Sequence, residues 1–247
     1  MQENLTNLEG EIIDYTFHEG SKGARDLLVI GHGVTGNKDL PLIASLAQAI
    51  AAEGLPVLRF SFSGNGFSGG DFRKATISKG IQDLKSVLST ADSLGFRVIY
   101  AGHSMGATVG TIVSSRDDRI HRLISLAGMF NAKAFYDREF GQEIPDSGYM
   151  WKNQKFPLSL AFKKDLELIG SVIEDACLVQ VPWLLVHGME DKIVPIEDSR
   201  QIFNKIKEPK KLIEIEGTDH MFSGNGGPAM IESVITWIGS TLQPKNA

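Results

Sequence analysis

Short apolar runs rich in branched side chains recur at 27–30, 56–60, 98–101, 123–126, 183–186 and 212–215. Each is too short for a stable helix and too continuous for a strand with one wet face, which is the pattern of a parallel strand buried on both sides. Between them lie segments whose apolar residues return every three or four positions. These are Leu42, Ile43, Leu46 and Ile50; then Ile77, Ile81, Leu84 and Leu88; and last Ile231, Val234, Ile235, Ile238 and Leu242 behind Pro228, which suits the first turn of a closing helix. Strand alternating with helix requires a mostly parallel sheet flanked by helices, because each crossover must return over the sheet to start the next strand. The segment 11–17 is expected to add an antiparallel edge strand ahead of it. A chain of 247 residues is of ordinary size for one sheet and one core, so a single α/β domain over 1–247 is expected.

One interval breaks the rhythm. Residues 128–180 separate two strands with no third between them, and a bare loop that long is rare in a compact domain. The interval holds Phe130, Phe135, Tyr136, Phe140, Trp151 and Phe162 among other aromatics, so it should fold onto something apolar. It reads as a cap inserted over the sheet at about 128–180, or else as an extra layer of core with no ligand contact. Repeats and low-complexity tracts are not visible.

Bulk properties exclude several classes of partner. A net charge of -5 gives no electrostatic reason to expect nucleic acid or an anionic membrane. The opening MQENLTNLEGEIID lacks the basic and apolar regions of a secretion signal, and no later run approaches the roughly 18 apolar residues of a membrane span. A cytoplasmic protein is therefore expected, and Asn4-Leu5-Thr6 is read as a chance glycosylation pattern. Cys177 is the only cysteine, so neither an internal disulfide nor a cysteine metal cluster can form. The histidines are scattered without paired spacing, which argues against zinc, and no cofactor is expected.

Two stretches fit the G-x-S-x-G pattern of a serine on a sharp strand-to-helix turn: Gly66-Phe67-Ser68-Gly69-Gly70 and Gly102-His103-Ser104-Met105-Gly106. Such a turn needs a strand running directly into it and a helix starting directly after it. Position 104 has both, since RVIYA precedes it and MGATVGTIV follows. Ser68 is followed by Gly69, Gly70 and Asp71, with helical spacing resuming only near Thr76, so it sits in a loop. Ser104 is the candidate nucleophile.

A serine hydroxyl is a weak nucleophile until a base takes its proton, and an imidazole base needs a carboxylate to fix its tautomer and stabilise its charged form. His220 follows the run at 212–215, and Asp191 follows the run at 183–186, between the Gly188 turn and Val194-Pro195. Glu190 rivals Asp191, and Asp219 lies beside His220. His18 and His121 read as surface residues, His103 as packing beside the elbow, and His187 as the end of a strand. A tetrahedral intermediate also needs two N–H donors for its oxyanion. Met105 offers one directly after the nucleophile, and Val34 offers the other in the loop Gly31-His32-Gly33-Val34-Thr35-Gly36. His32 is expected to brace that loop, and Thr35 is a weaker donor candidate. Because the loop at 32–34, the glycine loop at 64–70, Ser104, Asp191 and His220 each follow a strand, they should meet at the carboxyl edge of one sheet, where open α/β folds bind ligands.

With these residues placed, the chain resembles the α/β-hydrolase superfamily, and within it the serine aminopeptidase-like group that includes cinnamoyl and feruloyl esterases. The blocks that carry the resemblance are HGVTGNKD from His32, FSGNGFSG from Phe62, GHSMG from Gly102, HGMEDKIVP from His187 and EGTDHMF from Glu216. It implies an α/β-hydrolase fold with a cap, a Ser104–His220–Asp191 triad, an oxyanion hole at Val34 and Met105, and a cofactor-free serine esterase acting on small-molecule esters of small to medium, apolar or aromatic groups. Two features depart from the group: the region before the first parallel strand is short for a full set of early antiparallel strands, and the block at Phe62 lacks the Asp and Arg found in many relatives. A short-peptide aminopeptidase and a noncatalytic ligand-binding protein on the same scaffold are the alternative expectations.

Overall fold

The computed structural model describes residues 5–242, so Asn4 of the glycosylation pattern lies outside the described residues. Among the described residues seven strands form one sheet: β1 (Tyr15–His18), β2 (Asp26–Gly31), β3 (Val57–Phe60), β4 (Arg97–His103), β5 (Ile120–Leu126), β6 (Trp183–Gly188) and β7 (Lys210–Ile215), in the spatial order β1-β3-β2-β4-β5-β6-β7. Only β1 is antiparallel, pairing with β3 through Tyr15↔Phe60 to His18↔Val57. It is shorter than the 11–17 segment read from the sequence, because the chain there makes only an isolated bridge between Thr6 and Ile12. The helices are α1 (Pro41–Ala52), α2 (Ile77–Ser93), α3 (Met105–Ser114), α4 (Ala132–Phe140), α5 (Leu160–Ile169), α6 (Ile173–Leu178), α7 (Ile196–Lys205) and α8 (Gly226–Leu242).

Alternation along the strands sorts two cores. Leu28, Ile30, Ile99, Ala101, Leu184 and Val186 pack with Ile43, Leu46, Val234 and Ile238 of α1 and α8. Their neighbours Leu27, Val29, Val98, Tyr100, Trp183 and Leu185 pack on the other face with Leu84 and Leu88 of α2, Val109 and Val113 of α3, and the helices between β5 and β6. Each fully buried aliphatic side chain contributes roughly 1.5–3 kcal/mol relative to exposure, so a strand apolar on both faces holds the sheet from both sides. Among the described residues no helix is long and apolar enough to cross a membrane.

Strand order also places the crevice. From β2 the chain crosses to β3 on one side, and from β4 it crosses to β5 on the other, although β2 and β4 are neighbours in register with Gly31 opposite Gly102. The loops leaving these two strands therefore diverge and open a gap at the carboxyl edge, the usual ligand position in such sheets. Residues 128–180, between β5 and β6, carry α4, α5 and α6. Phe130, Phe135, Phe140 and Phe162 are buried in the larger core, while Phe135 and Trp151 also face the crevice.

Candidate active site

Ser104 sits between β4 and α3 with φ 52 and ψ -115, a conformation that costs a non-glycine residue roughly 1–3 kcal/mol. Its main chain is held in place: the Ser104 N–H donates to Leu126 O at 2.9 Å, and its carbonyl accepts from the Ala107 and Met129 amides at 3.0 and 3.2 Å. The flanking glycines are required by space. A Cβ at Gly102 would lie 2.3 Å from the Gly106 carbonyl carbon and oxygen, and one at Gly106 would lie 2.8 Å from the carbonyl oxygens of Gly31 and His32. The strand, the elbow and the loop after β2 thus interlock at backbone distance.

Ser68 has a different task. Its Oγ donates to Ser61 O at 2.6 Å and accepts from the Asp14 amide at 2.9 Å, which ties the glycine loop to the chain entering β1.

Asp191 lies in the loop after β6 with its side chain fully buried. Oδ1 accepts from the Ile193 and Val194 amides, both at 2.8 Å. Oδ2 accepts from His220 Nδ1 at 2.7 Å and from His187 Nε2 at 3.1 Å. Burial alone would raise this carboxyl, but the hydrogen bonds from His187 and His220, with the backbone donors, outweigh it and hold Asp191 well below the usual carboxylate range. Glu190 is exposed, its amide bonded to Thr218 O, and Asp219 is exposed and caps the next turn by accepting from the Met221 and Ser223 amides. Neither reaches the imidazole.

His187 is the residue whose part in the site the sequence reading missed. Its Nε2 faces two acceptors, Asp191 Oδ2 and Val194 O at 3.0 Å, so it carries the proton, and Nδ1 accepts from the Ser199 hydroxyl at 2.7 Å. The signal available was its four-residue spacing from Asp191 across a strand end.

The other buried histidines are struts. His32 Nδ1–H donates to Gly33 O at 2.8 Å while Nε2 accepts from the Phe62 amide at 2.9 Å, so one ring joins the loops after β2 and β3. Burial pushes it down to about 4. His103 Nε2–H donates to His220 O at 3.0 Å and thereby fixes the loop after β7 to the elbow; burial first, and then the charge of nearby His220, push it down to about 3. His18 is half-buried on β1 and accepts from Arg59 Nε at 3.1 Å, rather than lying free on the surface.

Ser104 and His220 face one cleft of about 230 Å³, together with Val34, Leu40, Phe135, Trp151, Ile193 and Met221. No hydrogen bond joins Ser104 Oγ to His220 in this conformation; in an unliganded site that contact commonly tightens only as substrate binds. Gly33 approaches so closely that a Cβ there would lie 2.9 Å from Ser104 Cβ and 3.4 Å from its Oγ. Among the described residues neither the Val34 nor the Met105 amide donates to another group, so both are available to an oxyanion. Thr35 is in the left-handed region at φ 58, part of the sharp turn that carries the loop away. The wall from the β5–β6 segment is braced: Trp151 Nε1 donates to Glu139 Oε2 at 2.9 Å, its ring lies 4.9 Å from that of Phe140, and Arg138 donates to Ile193 O in the loop after β6. Among the described residues no group of three His, Cys, Asp or Glu side chains could hold a metal ion.

A family model described as the prolyl oligopeptidase family matches residues 43–245. The chain belongs to the prolyl oligopeptidase family. Relatives of this family member include YfhR of Escherichia coli O157:H7, 27% identical over 252 residues, a match spanning 98% of this chain and 81% of YfhR. Another is the mouse mitochondrial palmitoyl-protein thioesterase ABHD10, 29% identical over 183 residues, spanning 66% of this chain and 59% of ABHD10. Among solved structures, Est1E from Butyrivibrio proteoclasticus with ferulic acid bound has a TM-score of 0.84 at 23% identity, covering 96% of this chain and 98% of Est1E. Mouse alpha/beta hydrolase domain-containing protein 10 has a TM-score of 0.78 at 21% identity, covering 97% and 98% of the two chains. The family member therefore has the α/β-hydrolase fold expected from its sequence, and the family match makes it an α/β-type hydrolase.

Proposed function

We propose that the protein is a serine esterase that cleaves uncharged carboxylic esters, or their thioester counterparts, through an acyl-enzyme formed on Ser104. One observation carries this reading: a serine on a strained elbow and an imidazole bonded to a buried carboxylate face one apolar cleft that Val34 also lines, with the Met105 amide directly after the serine. Because His220 donates Nδ1–H to Asp191, its Nε2 has a lone pair for the Ser104 proton. In the proposed cycle Ser104 Oγ attacks the carbonyl carbon and His220 takes the hydroxyl proton. The Val34 and Met105 amides hold the oxyanion, and His220 returns the proton to the leaving oxygen or sulfur. Water, activated by the same imidazole, then releases the acid.

The cleft walls support small to medium apolar or aromatic groups, since Phe135 and Trp151 line the cleft and no charged side chain does so among the described residues. The segment 128–180 is read as a cap whose aromatic side chains form that wall. The family name favours peptide cleavage as a second reading. An aminopeptidase would need a carboxylate for the substrate's ammonium group, and among the described residues the cleft lining contains no Asp or Glu. ABHD10, by its name a thioesterase, and Est1E, solved with ferulic acid, are compatible with the ester reading.

A panel of chromogenic esters and thioesters, with short peptide amides alongside and Ser104→Ala as the blank, tests this. Turnover of an uncharged ester or thioester that falls by several orders of magnitude in Ser104→Ala is expected. Peptide turnover alone would replace the reading with the peptidase one. Silence across the panel, together with no labelling of Ser104 by a fluorophosphonate, would leave a noncatalytic binding protein.

A further inference from the structure

We propose that the apolar groove between the N-terminal ends of α1 and α8 is the subsite for the substrate's leaving group, and that it takes an uncharged straight alkyl chain carried on the alcohol or thiol. The inference rests on the hydrolase reading above and adds which side of the scissile bond bears the long apolar group. The groove has a volume of about 530 Å³. Pro41, Leu42 and Ser45 of α1 form one wall, Met221 and Phe222 of the base loop a second, and Ile231 of α8 a third. Among the described residues no charged side chain lines it, so nothing among them would compensate an ionic group for lost hydration.

The groove adjoins the catalytic cleft across Met221. Met221 lines both spaces, and Leu40 on the cleft side is followed directly by Pro41 on the groove side. Met221 is 40% exposed and unbranched, so its side chain can yield to a chain passing between it and Leu40. The loop that presents it is firmly held. Asp219 accepts from the amides of Met221 and Ser223, and Phe222, with φ 52, is buried with its ring 6.5 Å from that of His103.

Chemistry then assigns the direction. His220 must hand its proton to the leaving atom, so that atom lies against Nε2 when the tetrahedral intermediate breaks. The substituent on that atom starts beside His220, and Met221 is the next residue along the chain. The acyl substituent is left with the aromatic side of the cleft at Phe135 and Trp151.

Two ester series test the assignment: acetates of straight-chain alcohols of graded length, and methyl esters of straight-chain acids of graded length. Beyond the length that fills the cleft, kcat/KM in the alcohol series is expected to rise about twofold to fourfold per methylene, fourfold corresponding to full burial. Ser45→Trp, placed at an exposed position on α1, fills the groove and should flatten that rise. A rise confined to the acid series, or an alcohol series that Ser45→Trp leaves unchanged, overturns the proposal. Calorimetric binding of straight-chain 1-alkanols to the Ser104→Ala protein supplies a readout without catalysis, and the same increments should appear there and vanish when Ser45→Trp is added. Ester cleavage without groove-dependent increments sinks the subsite and leaves the hydrolase reading intact. Groove-dependent alkanol binding without cleavage of any ester sinks the hydrolase reading and the leaving-group role with it.

Discussion

Replacing Asp191 by asparagine tests the proposed triad more sharply than deletion does, because the structure dictates how the new side chain must sit. The Ile193 and Val194 amides both point at Oδ1 from 2.8 Å, so the carboxamide oxygen of the variant has to take that place. Its NH2 then occupies the Oδ2 position, 2.7 Å from His220 Nδ1 and 3.1 Å from His187 Nε2, both of which donate in the wild type. His220 can avoid a donor–donor contact only by moving its proton to Nε2, the nitrogen that should receive the Ser104 proton. An imidazole locked in the wrong tautomer costs roughly 10⁴-fold in kcat when a serine triad is altered this way. His187 cannot escape similarly without losing its bond to Val194 O, so a buried donor is left unpaired, at about 1–3 kcal/mol of stability. The assay is kcat on a short chromogenic ester with active sites titrated, alongside thermal unfolding, with Glu190→Gln as the control on the exposed rival acid. An Asp191→Asn enzyme within tenfold of wild type would refute the tautomer argument, and a comparable loss in Glu190→Gln would move the acid to its neighbour.

Gly33→Ala places a methyl group 2.9 Å from Ser104 Cβ and 3.2 Å from His103 Nδ1, so the loop carrying the Val34 amide must retreat. A loss of about 10²–10³ in kcat is expected, and ester kinetics that stay near wild type would remove Val34 from the oxyanion role. Ser68→Ala strips the glycine loop of one donated and one accepted hydrogen bond. It should lower stability by about 1–2 kcal/mol without altering fluorophosphonate labelling, and loss of labelling would reopen the choice between the two serines.

Much of this arrangement was legible because it follows from periodicity and strand ends. The six apolar runs became six parallel strands, extended where a polar residue completes the ladder: Arg97 and His103 on β4, Lys210 and Lys211 on β7. Ser104 was distinguishable from Ser68 because an elbow needs helical residues immediately after it, and MGATVGTIV supplies them. His187 was not legible, because its contact with Asp191 is made across a turn whose path no local pattern specifies. The choice between Glu190 and Asp191 turns on the same path: the bond from the Glu190 amide to Thr218 O directs one side chain outward and its neighbour inward. Leu40, Ile193 and Met221 are ordinary apolar residues in sequence and become cleft walls only when three loops meet. The antiparallel start is shorter than its residue pattern suggests because β-forming residues at 12–13 pair with residues 5–6 instead of with the sheet.

The buried histidines make the fold sensitive to mild acid in a direction that can be worked out. His32 and His103 are neutral in the folded protein, at about 4 and about 3, whereas an unfolded histidine titrates near ~6.5. As pH falls below ~6.5 the unfolded chain takes up two protons that the folded chain refuses, so stability present at neutral pH is lost on acidification, by up to ~1.4 kcal/mol per pH unit for each ring. His18, lowered mainly by burial, adds in the same direction. Asp83 and Asp198, whose carboxyls burial raises, act in the opposite direction. Urea unfolding between pH ~7 and ~5 should therefore show ΔG falling with a slope approaching two protons, and His32→Gln should reduce that slope by about one. His121→Gln, at an exposed position, serves as the control. An unchanged slope in His32→Gln would mean that this ring is not held neutral between Gly33 and Phe62, and would refute its role as the strut joining the loops after β2 and β3.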